Sequence, residues 1–135
     1  MIKDSNPQMN NRHLDRLIRE LSNRVEGELG FWRFELAGRE LMTITDESHN
    51  RMRVMTPIAE TDRLDKEILE ILLAANFDRA LNAKYAISEA VLWSVFTHPL
   101  GELTPHQFRD AVQQVKTLAD NFGTTFSSSD LVFGG

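Results

Sequence analysis

The sequence predicts one α+β domain in the order helix, three strands, helix, two strands, helix, and three observations carry that expectation. Apolar residues recur at helical spacing in three separate stretches. Between those stretches the apolar pattern changes to period two, and polar, glycine and proline clusters mark the changes. A chain of 135 residues suits one domain, which on folding buries roughly two thirds of the surface its unfolded form exposes.

Residues 1–10 are polar, interrupted by Pro7, and read as a flexible lead-in. The domain proper is expected over 11–126, with a C-terminal tail over 127–135. From Asn11, the residues Leu14, Leu17, Ile18, Leu21 and Val25 share one helical face, with Arg12, Asp15, Arg16, Arg19 and Glu20 off it. Gly27 and Gly30 supply the stop. Phe31 to Leu36 then alternates, with Trp32, Phe34 and Leu36 on one side and Arg33 and Glu35 on the other. Ala37-Gly38-Arg39 turns into Leu41–Thr45, where Met42 and Ile44 share a side, and Asp46 to Asn50 is a polar turn. Arg51 to Thr56 sets Met52 and Val54 opposite Arg51 and Arg53, with Pro57 expected to end the strand.

Thr61 or Asp62 is the expected cap of the second helix, Lys66 to Ala75, whose stripe is Leu64, Ile68, Ile71, Leu72 and Ala75. Leu69 and Leu73 widen that stripe beyond what one packed surface needs. In the strand pair Ala83–Ile87 and Val91–Thr97, the turn near Ser88-Glu89-Ala90 lacks the glycine or asparagine of a two-residue hairpin. The register is therefore open. If Glu89-Ala90 is the loop, Tyr85, Ile87, Leu92 and Phe96 share a face opposite Val91, Trp93 and Val95; one residue more reverses this. Val91, Leu92, Trp93, Val95 and Phe96 place large apolar groups on both faces, so both faces need cover, from this chain or a partner. The last helix is the clearest. Thr104 caps it, Pro105 opens it, Gln107 completes a capping box, Phe108, Ala111, Val112, Val115, Ala119 and Phe122 form its stripe, and Gly123 stops it. In the tail, Leu131-Val132-Phe133 is the one apolar run, suited to a short strand or to docking on a neighbour.

Composition narrows the function classes. An apolar fraction of 41% and a charged fraction of 26% are those of a globular protein, neither disordered nor membrane-spanning. With 15 basic and 20 acidic residues, the net charge of −5 lacks the basic footprint of a nucleic-acid binder. The absence of cysteine removes disulfides, thiolate nucleophiles and thiolate metal sites together. Met1 to Asn11 has no apolar signal segment, and no later run is long enough to cross a bilayer, so a cytoplasmic protein with no membrane partner is expected.

No constellation of a catalytic, metal or cofactor site stands out. His98, Glu102 and His106 are spaced by four, but Pro99 and Gly101 interrupt the helix that would bring the first two together. His13 and His49 are isolated. Ser127-Ser128-Ser129-Asp130 has no nearby histidine or glycine-framed elbow and reads as linker. Asp46-Glu47 sits in a wet turn, unsuited to a poised acid. Gly27, Gly30 and Gly38 lack the lysine and hydroxyl of a phosphate loop. Arg12, Arg16, Arg19 and Arg24 are interleaved with Asp15, Glu20 and Glu26, the pattern of a solvated, salt-bridged face. Trp32 reads as core; Trp93 suits core and interface equally. The surplus apolar area makes Ile68, Leu72, Val91, Trp93 and Val95 the candidate dimer or partner interface.

The element order resembles the class I type III secretion chaperone fold, the Tir chaperone type, and most closely the YbjN-like bacterial proteins that share it. The likeness is carried by Leu72-Leu73-Ala74-Ala75-Asn76-Phe77, Tyr85-Ala86-Ile87, Val91-Leu92-Trp93-Ser94, His98-Pro99-Leu100, Leu103-Thr104 with Gln107-Phe108, Phe122-Gly123-Thr124 and Leu131-Val132-Phe133-Gly134-Gly135. This resemblance implies a curved antiparallel sheet with helices on one side, a homodimer built around the second helix and adjacent strands, and no enzymatic activity or cofactor. It implies a partner that is an extended polypeptide client. An adaptor docking on one folded partner through the first helix, by Arg16 and Arg19, is the alternative.

Overall fold

The structure, a computed structural model, describes residues 8–129. Its framework is one antiparallel sheet of six strands with every helix on the same face. The first helix, α1 (Asn11–Leu21), starts where the Asn10 side chain accepts the His13 N–H at 2.9 Å, and it buries Leu14, Leu17 and Ile18. It ends a turn earlier than expected. Val25 lies on a strand, β1 (Val25–Glu28), which pairs with β2 (Phe31–Leu36). Gly27 and Gly30 therefore serve this hairpin and not a helix stop. Gly27 has φ +112°, and a Cβ there would lie 2.2 Å from the Phe31 carbonyl oxygen, so no larger residue fits.

β3 (Arg39–Asp46) follows, then a single 3-10 turn, Glu47–His49, and β4 (Arg51–Glu60). Leu41 and Thr43 face the helices, so Met42 and Ile44 share the outer, helix-free side. Pro57 does not end β4. The pairing with β3 stops at Met55, so a residue without an N–H costs no ladder bond on that side. On the other side β4 pairs with β6 (Val91–Pro99) from Arg51↔Pro99 to Glu60↔Val91, with a bulge between Pro57 and Ala59. A second 3-10 turn occupies Thr61–Arg63. α2 (Lys66–Asp78) is capped neither by Thr61 nor by Asp62 but by Asp65, which accepts the Ile68 N–H at 2.9 Å.

β5 (Lys84–Ser88) and β6 form a hairpin with Ser88 opposite Val91, so Glu89-Ala90 is the loop. Both loop residues adopt left-handed backbone, φ 55° and 61°, the mirror-image turn that glycine or asparagine normally supplies. This puts Tyr85, Ile87, Leu92 and Phe96 on one face and Val91, Trp93 and Val95 on the other. α3 (Pro105–Asp120) begins with the Thr104–Gln107 capping box, both bonds at 3.0 Å. It lies across β4 and β6, burying Phe108, Ala111, Val112, Val115 and Leu118. The strand order is β1-β2-β3-β4-β6-β5, which leaves β1 and β5 as edges.

The core fills the space between the sheet and the helices. Trp32, Phe34, Leu41, Met52, Val54 and Leu92 point into it from the strands. Trp32 also donates its indole N–H to Asp15 at 3.0 Å, tying β2 to α1. Asn50, at φ 53°, accepts the Gly101 N–H at 2.7 Å and donates to Glu102 at 3.0 Å, pinning the β3–β4 turn to the loop before α3. Met9 is buried, and its N–H meets the Gly101 carbonyl at 3.2 Å. Leu131-Val132-Phe133 lies outside the described residues.

Two measurements check the local chemistry. Ala90→Gly removes the Cβ penalty of the left-handed loop and raises stability by ~0.5–1 kcal/mol, read as a higher urea midpoint at unchanged m-value. Hydrogen bonds from Ser48 and His49 hold the Asp46 carboxyl down to about 2, against its ordinary 3.8. Its folded value is depressed, so its contribution to the turn is complete above 3.8 and is lost as the pH falls through about 2. The carboxyl carbon shift of Asp46 should titrate near 2, and higher in Ser48→Ala.

Candidate protein-binding surface

α2 presents two apolar faces because leucine, alanine and phenylalanine run around most of its circumference. One face packs inward through Leu72 and Ala75, both buried, with Ile68, Leu69 and Ile71 half-buried against the core. The other face points outward: Leu73 is 70% exposed and Phe77 90%. Between α2 and β5 runs a groove of about 310 Å³ lined by Leu69, Leu72, Leu73, Ile87 and Leu92. Ile87 in that lining is itself 53% exposed.

Polar side chains fasten the C-terminal end of α2 to β5. Asn76 donates from Nδ2 to the Tyr85 carbonyl at 3.0 Å and accepts the Tyr85 N–H on Oδ1 at 2.8 Å. Lys84 Nζ donates back to the carbonyls of Asn76 at 2.8 Å and Ala80 at 3.3 Å. Gln114 of α3 accepts the N–H groups of Asn82 and Ala83 at 2.8 and 3.1 Å while donating to Asp110. The Tyr85 hydroxyl donates to the Leu118 carbonyl at 2.9 Å, and burial pushes its phenol well above the usual range.

Among the described residues, no helix covers the opposite face of the sheet. Across it the register lines up Met42, Met55 and Val95 in one row, and Pro57, Trp93 and Ala86 in the next. Trp93 is half-buried and donates its indole N–H to the Ser88 carbonyl at 3.2 Å. Phe31 and Ile44, paired farther along, are 46% and 37% exposed. The five candidate residues thus fall in two groups. Ile68 and Leu72 belong to the helix layer, whereas Val91, Trp93 and Val95 lie on the helix-free side. The edge strand joins them: Ala86, opposite Trp93, lies at the groove as well as on the outer row.

Sequence reasoning passed over Phe77 as an interface residue, although Leu69, Leu73 and Phe77 recur every fourth position and mark a second stripe. Other clefts are polar, and one of about 290 Å³ is lined by Asn82, Thr97, His98, Gln107 and Asp110. A cleft of about 540 Å³ beside β1 and β2 is lined by Arg24, Glu26, Arg33 and Glu35, which pair with one another at 3.0 Å (Arg24–Glu35) and 3.4 Å (Arg33–Glu26). Among the described residues, no three His, Cys, Asp or Glu side chains could hold a metal. His98 stacks on Phe96 with ring centroids 5.7 Å apart, and Glu102 accepts from Asn50. Ser127 and Ser128 are buried, and Ser128 Oγ accepts the Leu81 N–H at 2.8 Å. On α1, Arg19 pairs with Asp15 at 3.1 Å. No helix among the described residues is long and apolar enough to cross a membrane.

The two faces of α2 should respond differently to truncation. Leu72→Ala should cost ~2–5 kcal/mol in urea denaturation. Leu73→Ala, measured dilute enough to keep copies apart, should cost no more than ~0.5 kcal/mol.

No protein-family model and no curated protein matches the sequence. Solved structures do share the fold. The chain is similar to one in the HopA1–SchA chaperone–effector complex, at a TM-score of 0.61 and 10% identity over 83% of this chain and 94% of that one. It is similar to one in the ExsC–ExsE complex, at 0.62 and 13% over 83% and 92%. It also matches one in the structure of the Yersinia pestis type III secretion chaperone SycH with a stable fragment of YscM2, at 0.56 and 13% over 79% and 97%. At these identities the likeness is one of architecture: an α+β fold with a curved, open antiparallel sheet, type III secretion chaperone-like.

Proposed function

We propose that this chain is a non-enzymatic, homodimeric, chaperone-like module of the cytoplasm that holds polypeptide segments on apolar surface. The carrying observation is the apolar area on both sides of β5: the exposed Leu73, Phe77 and Ile87 around the groove, and the half-buried Trp93 with Val95 on the outer face. Exposed apolar area of this extent on a charged, acidic protein marks an interaction surface. On this reading Ile68, Leu72, Val91, Trp93 and Val95 form or support the interface, with Leu73 and Phe77 as its outermost contacts. The solved chains of like fold come from complexes with protein partners, one of them named an effector, which supports a polypeptide as ligand. The YbjN-like proteins are the members of this fold group to which we assign the chain, on the motif likeness of its second half. The alternative, an adaptor docking through α1 by Arg16 and Arg19, has less support because Arg19 is engaged by Asp15.

Sedimentation and binding to an unfolded probe test the two halves of this reading. The protein should sediment at twice its 15.4 kDa chain mass at high micromolar concentration, and Phe77→Glu should return it to one chain without loss of helical signal. It should bind a reduced, carboxymethylated model protein in preference to the native form, and Trp93→Ala should weaken that capture. A wild-type single-chain mass defeats the dimer; equal binding of native and unfolded probe defeats the chaperone role.

A further inference from the structure

A sheet edge is a ready template for another strand, because its outward N–H and C=O groups have no partner. Among the described residues β5 is such an edge, and it borders the apolar groove. Yet both outward backbone groups of Tyr85 are already taken by the one amide of Asn76, at 2.8 and 3.0 Å. The approach to the strand is occupied as well, since Gln114 holds the N–H groups of Asn82 and Ala83. By the alternation of an antiparallel ladder, the next residue facing off the edge is Ile87, and the Glu89-Ala90 turn follows at once. Asn76 is itself held in place, because Lys84 Nζ bonds its carbonyl. Among the described residues, no side chain bonds the backbone of the opposite edge, β1. β5 carries no proline and no bulge, two of the ways an edge is blunted; it is short, carries Lys84, and has the amide of Asn76 on the backbone of Tyr85.

We propose that Asn76 is a specificity-determining residue of this surface: it closes the β5 edge to strand pairing, so that a second copy meets the α2–β5 groove by side-chain packing and not by continuing the sheet. This deepens the reading that two copies meet here, and rests on it. The groove wall supports the packing mode, being built of Leu69, Leu72, Leu73, Ile87 and Leu92 beside the outward Phe77. Such a contact is made by side chains from α2 of each copy, and it closes as a pair. An edge-to-edge contact would instead join two sheets into one.

The test compares the full-length wild type with Asn76→Ala and Asn76→Asp by amide hydrogen exchange and sedimentation velocity. In the wild type the Tyr85 amide should exchange at least ~10-fold more slowly than that of Ile87, because one is bonded and the other is open. In Asn76→Ala the two rates should converge, and species larger than the wild-type assembly should appear and grow with concentration. Adding Ile87→Pro, which removes one of the two outward N–H groups then open and sets a ring against a pairing strand, should return the mass to that of the wild type. If Asn76→Ala loses its helical signal, Asn76→Asp is read instead: it keeps the acceptor for the Tyr85 N–H, lacks the donor to the Tyr85 carbonyl, and should show the same larger species. The proposal is overturned if the Asn76 variant that remains folded keeps the wild-type mass at every concentration, or if Ile87→Pro fails to reverse the larger species. A single-chain mass for the wild type, together with larger species in Asn76→Ala that Ile87→Pro reverses, removes the dimer reading alone and leaves the closed edge standing.

Discussion

The packing of α3 across β4 and β6 is the contact on which the rest of the molecule depends. Phe108, Ala111, Val112, Val115 and Leu118 are all buried there, against strands whose inward residues include Met52, Val54, Leu92 and Phe96. Ser94, buried in the middle, donates to the Val115 carbonyl at 2.8 Å and so fixes the helix at one height on the sheet. α1 then covers the β2 end through the Trp32–Asp15 bond, and α2 covers the β5 end through Leu72 and Ala75. All three helices are committed to one side. The other side of an antiparallel sheet can stay wet when its residues are polar, but here Met42, Met55, Trp93 and Val95 occupy it.

That one-sided arrangement explains why the apolar surface without full cover has two parts. α2 is the last helix to find sheet beneath it, lying over the edge strand, so half of its apolar circumference has nothing to pack on. β6 lies inside the sheet, with α3 packed across its inner face. Leu73 of α2 and the half-buried outer residues of β6 therefore lack full cover for the same reason, and the narrow edge strand separates them. The amide and ammonium bonds of Asn76 and Lys84 hold this margin together without adding apolar cover.

Much of this was legible in the residues, and the departures have local causes. The Thr104-Pro105-Gln107 signal placed α3 correctly because caps are short-range chemistry. The surplus on α2 and β6 was legible as well, since it depends only on how many faces of an element are apolar. β1 was missed because Val25 continues the spacing of Leu14, Leu17, Ile18 and Leu21, while a four-residue strand is too short to show alternation. Pro57 was read as a stop because a sequence does not say on which side a strand has lost its neighbour. The Glu89-Ala90 loop gave no turn signal, as neither residue favours left-handed backbone; the sheet imposes it. The role of Asn76 depends on its distance from Tyr85 across a loop, which no spacing rule contains.

The pairing of β4 with β6 has a consequence for how the chain is made. β1 to β4 form a meander of neighbours in sequence, and β5 with β6 forms a second local hairpin, but the seam between them joins Arg51 to Pro99 across the whole of α2. Local hairpins close quickly, whereas a seam of this kind must first overcome the entropy of closing a long loop. During synthesis the meander can therefore be complete while its inner face still waits for α3. Until the ribosome has released Phe108 to Leu118, the nascent molecule leaves the inward side chains of β4, Met52 and Val54, without their cover.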